Sequence, residues 1–152
     1  MIDRDDDVVP GFTTSSWNSA GIATLQAVGH DRRSALEAGL RAVLALATVP
    51  TQAPLDSGRS APIRGEGNDL ASLFADLVED LLEQIAFFGG RLHDVVVDGV
   101  LRREDGGYVG WGHASEALDA APTVAVPRLF NAPMASEDAA TGIVLHASLQ
   151  RP

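Results

Sequence analysis

The stretch Asp69-Leu70-Ala71-Ser72-Leu73-Phe74-Ala75-Asp76-Leu77-Val78-Glu79-Asp80-Leu81-Leu82-Glu83-Gln84-Ile85-Ala86-Phe87-Phe88-Gly89-Gly90 decides the fold. Leu70, Leu73, Phe74, Leu77, Val78, Leu81, Leu82 and Ile85 recur at i, i+3, i+4 and i+7 without a break, which predicts a helix over about 69–88. Asn68 or Asp69 can cap its start, and Gly89-Gly90 supplies its stop. Asp76, Glu79, Asp80 and Glu83 fall between the apolar positions and predict an acidic outer face. A leucine stripe of this width belongs against the chain's own sheet before it belongs to a partner helix.

A second helix is predicted over about 32–47, with Asp31 as cap and Leu36, Leu40, Val43 and Leu44 as its stripe. Pro50 and Pro54 prevent its continuation, and residues 48–60 read as a loop. Strands are predicted over about 22–28, 60–67 and 91–103, the last holding the β-branched run Val95-Val96-Val97. Glu104-Asp105-Gly106-Gly107 has turn chemistry for a hairpin returning over about 108–114. Further strands over about 122–131 and 141–149 flank the polar Ser136-Glu137-Asp138. The order is β-α-β-α followed by a β-meander, an α+β class with two helices on a mainly antiparallel or mixed sheet. No internal repeat stands out. Residues 1–17 are expected to form a flexible acidic tail, and residues 18–152 one domain.

Composition bounds the function. The 152 residues include no cysteine, which excludes a disulfide framework, a thiolate zinc site and a cysteine nucleophile. Net charge is -10, and all 11 basic residues are arginine. With no lysine, a P-loop or Schiff-base mechanism has no residue to use. An acidic chain repels a phosphate backbone, so direct tight nucleic-acid binding is not expected. The arginines are scattered apart from the pairs Arg32/Arg33 and Arg102/Arg103. The N-terminus Met1-Ile2-Asp3-Arg4-Asp5-Asp6-Asp7 lacks the basic and apolar regions of a signal peptide. No apolar run reaches the ~20 residues of a membrane span, so a cytoplasmic location away from membranes is expected.

Chemical motifs are sparse. Gly65-Glu66-Gly67 precedes a helix, but Leu70 occupies the third position of a G-x-G-x-x-G pattern. There is no H-E-x-x-H and no G-x-S-x-G, and no carboxylate pair can be assigned to acid/base work. Of His30, His93, His113 and His146, strands could bring His113 and His146 together, and with Glu116 they would offer a metal site. Alternation places Tyr108 and Trp111 on opposite strand faces, with Trp111 expected in the core.

The stretch Glu66-Gly67-Asn68-Asp69-Leu70-Ala71-Ser72-Leu73-Phe74-Ala75-Asp76-Leu77-Val78-Glu79-Asp80-Leu81-Leu82 resembles the "EGxDLExLLxxxLxELL" segment of the archease family. Val28-Gly29-His30-Asp31 followed by Ala35-Leu36-Glu37-Ala38 is similar to that family's "V-x-G-x-[ST]-LEEAF". Gly110-Trp111-Gly112 resembles its "AWGE", and Ile143-Val144-Leu145 its closing "VILD". The resemblance runs from about residue 18 to the end. It implies a compact α+β domain and an accessory role on a protein partner: the tRNA-splicing RNA ligase, whose guanylylation the family assists, or another RNA-modifying enzyme.

The family's "DHTAD" motif helps build a divalent-ion site with an aspartate of the closing strand. Here Asn18, Ser19 and Ala20 resemble its middle, while Trp17 and Gly21 replace both aspartates and His146 replaces the closing one. A hard cation wants carboxylate oxygens. The resemblance therefore implies that Asn18, Ser19, Gly21 and His146 mark a degenerate metal site or a partner-contact position, with the calcium-type ion lost and no cofactor expected. Two other readings stand beside this one: a small metal-binding protein or enzyme using His113 and His146, and a diverged assembly domain. In the latter, Thr123-Val124-Ala125-Val126-Pro127 with Leu129-Phe130 would mediate self-association.

Overall fold

Two Gly-x-Asp-x-x-Ser segments launch the two helices. The computed structural model describes residues 11–49, 57–118, 125–138, 140 and 142–152. In chain order the elements are β1 (Gly11–Thr14), β2 (Ile22–Gly29), α1 (Arg32–Ala47), β3 (Ser57–Gly67) and α2 (Leu70–Phe87). Then come β4 (Leu92–Arg102), β5 (Tyr108–Ala117), β6 (Arg128–Leu129), β7 (Met134–Asp138) and β8 (Gly142–Gln150). Asp31 and Asp69 each accept a hydrogen bond from the amide three residues on, Ser34 N at 2.7 Å and Ser72 N at 2.8 Å, while the serine hydroxyls close reciprocal capping boxes. Each cap follows a glycine against which the helix is seated. A Cβ on Gly29 would lie 2.3 Å from Ala35 N, and one on Gly67 2.3 Å from Leu73 N. The strand-helix unit is thus used twice, so the expected absence of an internal repeat is corrected: it is carried by Gly29-His30-Asp31-Arg32-Arg33-Ser34 and Gly67-Asn68-Asp69-Leu70-Ala71-Ser72, which share only three of six residues.

The α+β class is as expected, with every strand pairing antiparallel. The predicted meander, however, divides between two sheets. One runs β1-β2-β8-β6, with β7 also on β8; the other runs β3-β5-β4. The β4–β5 hairpin closes the second sheet, and the chain then returns to the first. Residues 11–17, expected in the tail, include β1, which pairs with β2 from Gly11↔Val28 to Thr14↔Leu25. The domain therefore begins earlier than residue 18. Residues 1–10 of that tail lie outside the described residues.

The helices hold the sheets together. α1 touches β1, β2 and β8 of one sheet and β4 of the other, and α2 touches β3, β5, β6 and β7. The predicted stripe of α2 is buried along its whole length, and with Leu36, Leu40, Ile63, Val95, Leu145 and Leu149 it forms one core. Phe74 of α2 packs against Gly39 of α1, where an added Cβ would lie 2.6 Å from the ring.

Polar side chains of the helices also close the edges of the second sheet. Along β4, Arg41 Nε donates to Val95 O at 3.2 Å, Val97 N donates to Glu37 Oε1 at 3.0 Å, and Arg33 Nη1 donates to Val97 O at 3.1 Å. Arg33, Glu37 and Arg41 share one helix face because they are one turn apart. Along β3, Arg64 N donates to Asp80 Oδ2 at 2.7 Å and Glu66 N to Asp76 Oδ2 at 2.8 Å. The expected acidic outer face of α2 is present, with Asp76, Glu79 and Glu83 exposed, and in addition Asp76 and Asp80 serve the strand edge.

Glu37→Ala strands the Val97 amide and should cost about 1–3 kcal/mol of unfolding free energy in urea titrations. Glu79→Ala, at an exposed site, should stay within about 0.5 kcal/mol; equal losses would refute the edge assignment. Asp69→Ala removes a cap and should cost about 1 kcal/mol at neutral pH. The hydrogen bonds from the Ser72 amide and hydroxyl hold the Asp69 carboxyl below its ordinary 3.8. A depressed folded-state value means full stabilisation above pH 3.8 and loss as the pH falls through the folded value. The gap between wild type and Asp69→Ala should accordingly close in acid, and a gap that widens there would contradict the cap.

Candidate functional site: the helix-free face of the second sheet

Alternation divides the β3-β5-β4 sheet cleanly. Ala61, Ile63, Val95, Val97 and Ala114 point to the core, while Pro62, Arg64, Glu66, Val109, Trp111 and His113 occupy the other face. Register places Trp111 at the centre, opposite Arg64 on β3 and Gly99 on β4; Val109 sits between Glu66 and Leu101. Trp111 is 37 % exposed and Leu101 59 %. The expectation that Trp111 belongs to the core is thus corrected, whereas Tyr108 is buried on the opposite face, as alternation required.

Two local irregularities shape this face. β4 breaks register between Val97 and Gly99, so Asp98 is the extra residue of a bulge. The bulge aims its carboxylate at His113, whose Nδ1 lies 2.8 Å from Asp98 Oδ2. Gly99 supports the indole: a Cβ there would lie 2.4 Å from Trp111 Cζ2. Asp98, Leu101 and Arg64 were not singled out from the sequence. The glycine inside a β-branched strand was the available signal for the bulge.

The histidines do not converge. His113 lies on β5 and His146 on β8, in different sheets, and both are on outer faces. His146 is opposite Gln26 and Met134, beside a shallow cleft of about 280 Å³ lined also by Thr13, Thr24 and Ser15. Glu116 sits an odd number of residues from His113 and so points inward. It is buried and accepts from Arg59 N at 3.0 Å, Nε at 3.2 Å and Nη2 at 3.4 Å. Those Arg59 hydrogen bonds, side chain first, hold its carboxyl below the ordinary value. The proposed His113–His146–Glu116 constellation is not assembled, and among the described residues no three His, Asp or Glu come together as a metal-holding group.

The Asn18, Ser19, Gly21 and His146 grouping also separates. Asn18 Oδ1 accepts from Ala20 N at 2.9 Å and Ile22 N at 3.0 Å, so its oxygen organises the β1–β2 turn. Ser19 is exposed within that turn. Gly21 accepts from Arg151 N at 2.9 Å and adopts φ 74°, a conformation suited to glycine. Ile22 pairs with Gln150 and Gln26 with His146, which puts His146 four strand residues, roughly 13 Å, from the turn. Of the suggested self-association segment, Thr123 and Val124 lie outside the described residues. Val126 and Leu129 pack against the core instead. No described helix is long and apolar enough to cross a membrane.

No protein-family model matches the chain, and no curated protein matches it. Among solved structures it is similar to the solution structure of protein 1598 of Methanobacterium thermoautotrophicum, with 18 % identity and a TM-score of 0.65. That likeness covers 91 % of this chain and 96 % of the other. Identity at this level establishes a shared fold and nothing about activity: two helices on antiparallel sheets, as the archease resemblance implies.

Proposed function

We propose that this protein is an archease-like accessory factor that binds and modulates a protein partner. The partner class is an RNA-processing enzyme such as the tRNA-splicing RNA ligase, and the docking surface is the helix-free face of the second sheet. The observation that carries this reading is the half-exposed indole of Trp111 at the centre of that face, with Leu101 more exposed beside it. Aromatic residues with this placement dominate binding energy at protein interfaces. Trp111 also belongs to Gly110-Trp111-Gly112, one of the segments that resembles the archease pattern, and the fold shared with protein 1598 is of the kind that resemblance implies. The lost acidic residues at positions 17, 21 and 146 separate this chain from the family's ion-dependent form, so the reading places partner modulation on the sheet face without a resident cation.

The test mixes the purified chain with the RNA ligase of its source organism and GTP, and measures both complex formation and ligase guanylylation. A complex and faster guanylylation are expected. Trp111→Ala should weaken binding by about 2 kcal/mol or more while melting as a folded protein. Absence of a complex together with unchanged guanylylation would end the ligase-helper reading.

A further inference from the structure

The arginine pairs that stand apart in sequence meet in the fold. Arg32 and Arg33 open α1, Arg102 closes β4, and all three line a cleft of about 420 Å³ with Asp31, Gly99, Val100 and Tyr108. The ring of Tyr108 meets two of them: the Arg32 guanidinium carbon lies 5.1 Å from its centroid, and that of Arg102 lies 5.5 Å away. Tyr108 itself is buried and pairs directly with Arg102 across the β4–β5 hairpin. Arg103, the fourth member of the two pairs, turns away and is neutralised by Glu66 and Asp105, each at 3.2 Å.

The charges in the cleft are unevenly matched. Arg33 pairs with Glu37 at 3.3 Å, and Arg32 Nη2 with Glu137 at 3.0 Å. Arg32 Nε is buried and has no hydrogen-bond partner among the described residues. Arg102 is exposed and has no carboxylate partner among the described residues. The Asp31 carboxylate is engaged by Ser34 N, capping the helix. Two guanidiniums drawn to one aromatic ring carry like charge into one cleft, and the ring offsets only part of that cost. A guanidinium over a ring face keeps its N–H edges available, and its forked geometry matches the oxygens of a phosphate. The first turn of α1 adds the positive end of a 16-residue helix.

We propose that this cleft binds a phosphate group, held by Arg102 and Arg32 and assisted by Arg33. It takes a small phosphate-bearing molecule, because a chain of net charge -10 whose other described arginines are dispersed offers no continuous basic stripe to track a polyanion. The proposal does not rest on the partner-docking reading: the site lies where α1 meets the β4–β5 hairpin and uses none of Trp111, His113 or Leu101, sharing with that face only the backbone of Gly99.

The experiment titrates the full folded chain with inorganic phosphate, a nucleoside monophosphate and, as a monovalent carboxylate control, acetate. Backbone amide shifts and calorimetry are read at fixed salt. Phosphate or the nucleotide should bind, acetate should not, and the shifts should cluster at Arg32, Arg33, Gly99, Val100, Arg102 and Tyr108. Arg102→Gln, at an exposed position, should leave the melting temperature unchanged and weaken binding about tenfold or more. Arg102→Lys, which keeps the charge and loses the fork, should restore only part of it. A nucleotide that binds more tightly than phosphate identifies the group as one carried on a larger molecule; equal binding identifies free phosphate. Absence of binding by either, shifts spread equally over Arg64, Arg128 and Arg151, or affinity unchanged in Arg102→Gln would each overturn the site.

Discussion

A three-stranded sheet has two bare edges, and unpaired backbone groups along an edge either meet water, recruit another chain or must be answered from within. Here both edges of the β3-β5-β4 sheet are answered by helices. Glu37, flanked by Arg33 and Arg41, completes β4, while Asp76 and Asp80 complete β3. These bonds fix how each helix is rotated about its axis. That rotation presents the stripes of α2 and α1 to a common core, with Phe74 fitted against Gly39. Hydrophobic burial supplies most of the free energy, but it is indifferent to small rotations; the carboxylate-to-amide bonds are not.

With its edges occupied, the second sheet has one surface left uncovered by a helix. Trp111, Leu101 and the bulged Asp98 lie on that surface. The same hairpin carries Tyr108 on its inner side, where the arginine cleft begins. A single β-hairpin thus separates the Trp111 face from a cleft lined by arginines.

Much of this architecture was legible in the residues. The apolar period of 70–85 gave α2 directly, and Asp31 and Asp69 announced both helix starts. The β-branched run 95–97 and the Asp105-Gly106 turn gave the hairpin. What escaped notice had a common physical cause. β1 and β7 are short, exposed and polar edge strands, and a strand with no buried face leaves no alternation to detect. The separation into two sheets depends on long-range pairing of β2 with β8, which no local pattern encodes. The site expectations failed for the same reason. His113, His146 and Glu116 are compatible in chemistry, yet strand parity and sheet membership put them on different surfaces. The second task of Asp76 and Asp80 was hidden because spacing reveals a helix face but not the strand edge beside it. Conversely, Arg32/Arg33 and Arg102/Arg103 read as two unconnected pairs, because the approach of Arg102 to Arg32 and Arg33 exists only after β4 returns alongside α1.

Gly99 belongs to both surfaces of the hairpin: its bare α-carbon lets the indole of Trp111 lie down on one side, and its backbone forms part of the wall of the arginine recess on the other. Any side chain at this position would lift the indole off the strand and disturb the recess wall in the same stroke. Drift at this site is therefore constrained twice over, and two surfaces with different chemistry are obliged to change together.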